Sequence, residues 1–200
     1  MHPIIAISVL AAVRSHDGQA QGSSPDGDSG NEAIKLGRTR SVAAQIERYT
    51  AMIKSGRDVE AQEIAALFTL VARRPDANLL FADAGRRAGR HAANLTPRLL
   101  RLVHTSLPAQ LRNRLGRRLV RSAAARVLDI ELTDDCTSAA VGGECPASLS
   151  PGGLACGMYG SGLAELLRGF TSFDGACFLT QCRARGGDRC RWSTQHEHED

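Results

Sequence analysis

Every cysteine in this chain lies between Cys136 and Cys190, and the two-thirds of the sequence before them has none. Three arrangements answer to such a cluster. A secreted chain would pair its six cysteines as three disulfides, although a helix-rich first half has little need of such staples. Buried free thiols are a second arrangement, because cysteine packs as a small apolar side chain. A metal site is the third, and the local pattern favours it for three of the six. Cys182 and Cys190 flank a turn around Gly186-Gly187, on what reads as the two arms of a hairpin. Paired strands lie about 5 Å apart, so two thiolates on one face can share an ion. Cys156 falls at the start of a helical segment, where the dipole favours a thiolate. Several soft sulfur ligands in tetrahedral array suit zinc.

The rest of the chain reads as helices. Gly18 to Gly30 is polar, rich in Gly, Ser and Asp, and without period. Residues 1–35 are therefore expected to be a disordered arm, with order beginning near Leu36. The apolar run Ile4 to Val13 resembles a signal-peptide core. No Lys or Arg precedes it, however, and Arg14, His16 and Asp17 interrupt the stretch after it, so a cytoplasmic address is expected. A helical extension over 36–76 contains a helix capped by Ser41 and stopped by Gly56, then one capped by Asp58 and stopped by Pro75. A binding domain spans 77–195, and 196–200 is an acidic tail.

Within 77–195 the expected order is a helix over 78–94, a helix after Thr96-Pro97 and an arginine-rich helix after Pro108. Next comes a strand in which Leu128, Ile130 and Leu132 alternate with Asp129 and Glu131. A Gly/Pro/Ser loop over 142–153 leads to a helix over 154–168, a strand over 176–184 and a returning strand over 189–193. Helices first, then strand, helix and hairpin, predict an α+β fold with an antiparallel sheet covered by helices. Only 4% of residues are aromatic against 42% hydrophobic, so the core must be built from Leu, Ala, Val and Ile.

Two surfaces stand out. Gly85, Ala88, Gly89 and Ala92 form a helical stripe almost without side chains. Mid-helix glycine costs about 1 kcal/mol relative to alanine, so another backbone or a bound molecule must approach closely. From Leu95 to Leu128 there is no Asp or Glu, while Arg98, Arg101, Arg112, Arg114, Arg117, Arg118, Arg121 and Arg126 are present. With only Lys35 and Lys54 as lysines, arginine is this chain's general cation, and the stretch reads as a solvated face or an anion-binding one. No recognised nucleic-acid motif accompanies the charge, so nucleic acid is not an expected partner.

The segment ACGMYGSGLAELLRGF, followed by a strand and then CRARGGDRCRW, resembles the end of the 4-vinyl reductase domain. Cys156, Cys182, Ala184, Gly186, Cys190 and Trp192 match its pattern, and Gly85 and Gly89 resemble the glycine helix that opens it. The likeness covers Leu79 to Trp192. It implies an α/β domain enclosing a small hydrophobic molecule, often dimeric, with structural zinc. Zinc-bearing members supply an acidic residue shortly before the second cysteine, and Ala176 to Gln181 has none. Cys177 is the replacement candidate, with Asp135 and Asp188 behind it. Gly85, Gly89, His104, Met158 and Tyr159 are the candidate ligand-contacting residues.

Free-standing members resemble the bacteriochlorophyll-biosynthesis protein named as a 4-vinyl reductase, which implies a chlorophyllide-type tetrapyrrole and a biosynthetic enzyme as partner. Regulatory members imply an aromatic or lipid-like effector instead, with a separate protein to carry the signal onward. Reduction of a vinyl group needs electrons, and no nicotinamide, flavin or phosphate-loop motif is present. Binding or delivery is therefore expected rather than unaided catalysis, with Arg86, Arg87 and Arg90 beside the smooth helix to meet carboxylate tails. A homodimer with no membrane-spanning segment completes the expectation.

Overall fold

A computed structural model describes the backbone of residues 1–21 and 29–195, and side chains outside 19–39 and 109. Of the expected arm over 1–35, residues 22–28 lie outside the described residues, as does the whole of the expected tail over 196–200.

Among the described residues seven α-helices run in chain order: α1 (Ile4–Gln21), α2 (Ser29–Lys54), α3 (Ala61–Val71), α4 (Ala77–Asn94), α5 (Arg98–Ser106), α6 (Ala109–Leu128) and α7 (Cys156–Phe170). Four strands, β1 (Ile130–Leu132), β2 (Ser138–Val141), β3 (Ala176–Gln181) and β4 (Arg191–Gln195), form one antiparallel sheet in the order β1-β2-β4-β3. The α+β expectation holds: the helical half comes first, then the sheet with α7 between its two hairpins. Helix α6 packs on β1 and α7 on β3.

The closest packing is between α4 and α7, and the glycine stripe explains it. A Cβ on Gly89 would sit 2.5 Å from the Gly162 carbonyl oxygen, and one on Gly85 would collide with the Met158 carbonyl. In return Gly162 lies against the Gly85 backbone. The missing side chains let two helix backbones approach each other, which offsets the helical cost of glycine.

Residues 4–21 correct the sequence reading of the arm. Ile4–Gln21 is a helix, and Ile5, Ala6, Val9 and Ala12 are buried in the same apolar core that reaches Trp192. Ile5, Val9 and Ala12 stand at helical spacing, and the helix lies against α4. Its far end is fastened where Arg74 pairs with Asp17 at 2.7 Å and with Asp76 at 2.8 Å. Arg48 pairs with Glu63 at 2.9 Å, and the Tyr49 hydroxyl donates to the same carboxylate at 2.5 Å, joining α2 to α3.

Smaller differences have local causes. The N-cap position before α3 is Glu60 rather than Asp58. Leu128 closes α6, and Asp129 turns the chain into β1 through a left-handed conformation (φ 55°). Strand β2 went unread because Ser138, Ala139 and Ala140 give only a weak apolar alternation. The last hairpin is shorter than expected. Gln181 ends β3, Arg183–Arg185 forms a tight 3-10 turn, and β4 begins at Arg191.

Candidate metal centre

Four of the six cysteines converge where three chain segments meet. Cys145, Cys156 and Cys190 are buried, with their sulfurs all within 4.8 Å of one another, close enough to hold a metal ion. Cys182 adjoins them: its sulfur is 3.7 Å from that of Cys156, which is itself 3.8 Å from Cys190. None of the six cysteines is in a disulfide.

Each sulfur is placed by a different device. Cys156 opens α7, following a loop that Ser150 folds inward. The Ser150 hydroxyl donates to the Ala147 carbonyl and accepts the Ala155 amide. Gly153 (φ 69°) carries that loop past the cluster, and a Cβ there would lie 2.6 Å from the Cys182 sulfur. Cys182 and Cys190 sit just beyond the ends of β3 and β4, inside the hairpin loop rather than at facing strand positions. The Cys182 carbonyl accepts the amides of both Arg185 and Gly187, which curls the loop, and each of the two thiols reaches the Cys156 sulfur. Cys145 precedes a short 3-10 turn at Pro146–Leu149.

The electrostatics suit one shared centre. The Cys156 thiol and the amides of Ala147 and Ser148 point hydrogen toward the Cys145 sulfur, lowering its pKa against the opposing effect of burial. Cys156 moves strongly the other way, because its proton is held by Cys145 and its site is dry. Burial pushes Cys190 up to about 11, opposed by the Arg183 amide. The cavity thus favours negative charge on one sulfur while resisting several bare thiolates, and a bound cation would relieve that resistance.

Trp192 covers the cluster from the sheet. Its indole N–H donates to the Cys156 carbonyl at 3.2 Å, and its ring stacks on Tyr159 with centroids 5.7 Å apart. Both are buried, and the Tyr159 hydroxyl has no hydrogen-bond partner among the described residues.

The expected site residues divide accordingly. Cys156, Cys182 and Cys190 come together, and Cys177 does not join them. It lies on β3 opposite Thr194, and burial raises its thiol to about 12. Cys145, which sequence reasoning missed, stands in the cluster instead. Its only signal was position, eleven residues before Cys156 in a loop of Gly, Pro and Ser. Asp188 pairs with its neighbour Arg189, and Asp135 accepts from Thr133, so both carboxylates are engaged elsewhere. Cys136 also stands apart, its thiol directed at the Arg117 carbonyl at 3.8 Å.

The candidate ligand contacts are all packed against protein. Gly85 and Gly89 meet α7, and Met158 is fully enclosed. His104 donates through Nε2 to the Phe170 carbonyl at 2.8 Å and meets the Phe170 ring edge-on. A cavity of about 290 Å³ lies beside the cluster instead, lined by Ala61, Gln62, Glu144, Cys145, Pro146, Leu149, Arg183 and Ala184 among others. No family model, curated protein or solved structure matches the chain.

Proposed function

We propose that the chain is a binding domain without chemistry of its own, stabilised by one structural zinc held by Cys145, Cys156, Cys182 and Cys190. One observation carries this reading. Zinc–sulfur bonds of about 2.3 Å in a tetrahedron separate neighbouring sulfurs by about 3.8 Å. Two of the six edges, both from Cys156, are 3.7 and 3.8 Å, and the sulfurs of Cys145, Cys156 and Cys190 lie within 4.8 Å of one another. Four protein sulfurs would fill the shell and leave no position for water, so the metal would pin the fold rather than activate a substrate. Metal analysis of purified protein should give one zinc per chain. Stripping it with a strong chelator should lower the melting temperature by about 10 °C, several kcal/mol of binding having been linked to folding. Metal-free protein with unchanged stability would defeat the reading.

The ligand implied by the resemblance is a chlorophyllide-type tetrapyrrole, bound or delivered for 4-vinyl reduction. Since α7 fills the Gly85/Gly89 stripe, a macrocycle would need another seat. The cavity beside Cys145 favours the second reading, a stand-alone sensor of an aromatic effector. Ligand pockets run from about 300 to 1,000 Å³, and 290 Å³ suits a single ring. Titration with chlorophyllide and with phenol, following Trp192 fluorescence, separates the two. Saturable phenol binding without chlorophyllide binding selects the sensor, and the opposite result selects the tetrapyrrole.

A further inference from the structure

Helix α5 presents its apolar side to solvent. Leu99, Leu102 and Val103 share one helical face and are 72%, 66% and 44% exposed, while His104 is the one residue of α5 that is buried. Leu111, at the start of α6, is 51% exposed and lies on the same helix face as Arg114 and Arg118, both exposed. The stretch from Leu95 to Leu128 that carries these leucines has eight arginines and no acidic residue.

Exposed leucines bordered by arginines ask for a partner that is apolar inside and negative outside. We propose that α5 and the outer face of α6 dock on an anionic lipid bilayer, with Leu99, Leu102 and Leu111 entering the headgroup boundary and Arg98, Arg114 and Arg118 meeting phosphates. A second copy of the chain fits less well, since a self-complementary contact would oppose these arginines to their own copies. Nucleic acid would satisfy the arginines but leave the leucines in water. No helix among the described residues is long and apolar enough to cross a membrane, so the contact would lie in the interface plane.

The test is co-sedimentation of the full chain with vesicles of phosphatidylcholine alone and of phosphatidylcholine mixed with phosphatidylglycerol. Binding is expected only to the mixed vesicles and should weaken in high salt. The pair Leu99→Ser with Leu102→Ser, and separately Arg114→Gln with Arg118→Gln, should each reduce partitioning about tenfold. All four side chains are exposed, so circular dichroism and metal content should stay as in the parent. The proposal falls if neither vesicle binds, if phosphatidylcholine binds as well as the mixture, or if the leucine pair binds as the parent does. It falls also if light scattering shows a dimer that the leucine pair dissolves, or if duplex DNA is retained where vesicles are not.

Discussion

At the scale of single residues, the chain separates cysteines that look alike in sequence. Cys177 is the sequence candidate for a fourth position and Cys145 is not, yet Cys145 lies beside the sulfurs of Cys156 and Cys190 while Cys177 faces a sheet neighbour. Cys145→Ser should reduce bound metal well below one equivalent, while Cys177→Ser should leave it unchanged, as read by metal analysis of each variant. The two tyrosines make a second test. Burial and the Glu63 carboxylate raise Tyr49 from 10.0 to about 12, and burial raises Tyr159 well above its ordinary value. Both folded pKa values lie above the unfolded one, so their contribution to stability is intact below pH 10, and that of Tyr49 is lost as pH climbs through about 12. Phenolate absorbance at pH 10 should therefore be nearly absent in native protein and substantial in denatured protein. Three sulfur positions were legible because they flank a turn and open a helix. Cys145 was not, because the direction of a Gly/Pro/Ser loop is set by what it packs on.

At the scale of elements, the helices were largely legible because Gly56, Pro75, Pro97 and Pro108 punctuate them. The α4–α7 contact was half legible: a bare helical stripe demands a close neighbour without saying which. The structure supplies a backbone, and this makes the stripe sensitive to one carbon. Gly89→Ala would favour an isolated helix by about 1 kcal/mol. Here its Cβ would press on the Gly162 carbonyl and on Glu165, and the backbone cannot rotate away. A net destabilisation of about 1–3 kcal/mol is expected in urea unfolding. Had a ligand occupied the stripe, the same change would alter binding and leave stability alone.

At the scale of the whole molecule, the core continues from Ile4 to Trp192. The opening helix escaped sequence reading because its partner α4 begins some seventy residues on, at Ala77, and a short apolar run also fits a leader. Ile5 is fully buried, so Ile5→Ala should cost about 2–5 kcal/mol in the same unfolding experiment. A dispensable arm would tolerate the change silently. The order of the sheet has its own consequence. Strand β4 pairs with both β2 and β3, yet it is the last of the four to be synthesised. A ribosome-bound chain that has emerged only as far as Gln181 therefore lacks the strand that joins β2 to β3. The edges of β2 and β3 that face β4 stay unmatched until Arg191–Gln195 clears the exit tunnel, and a nascent-chain chaperone would have most to shield during that interval.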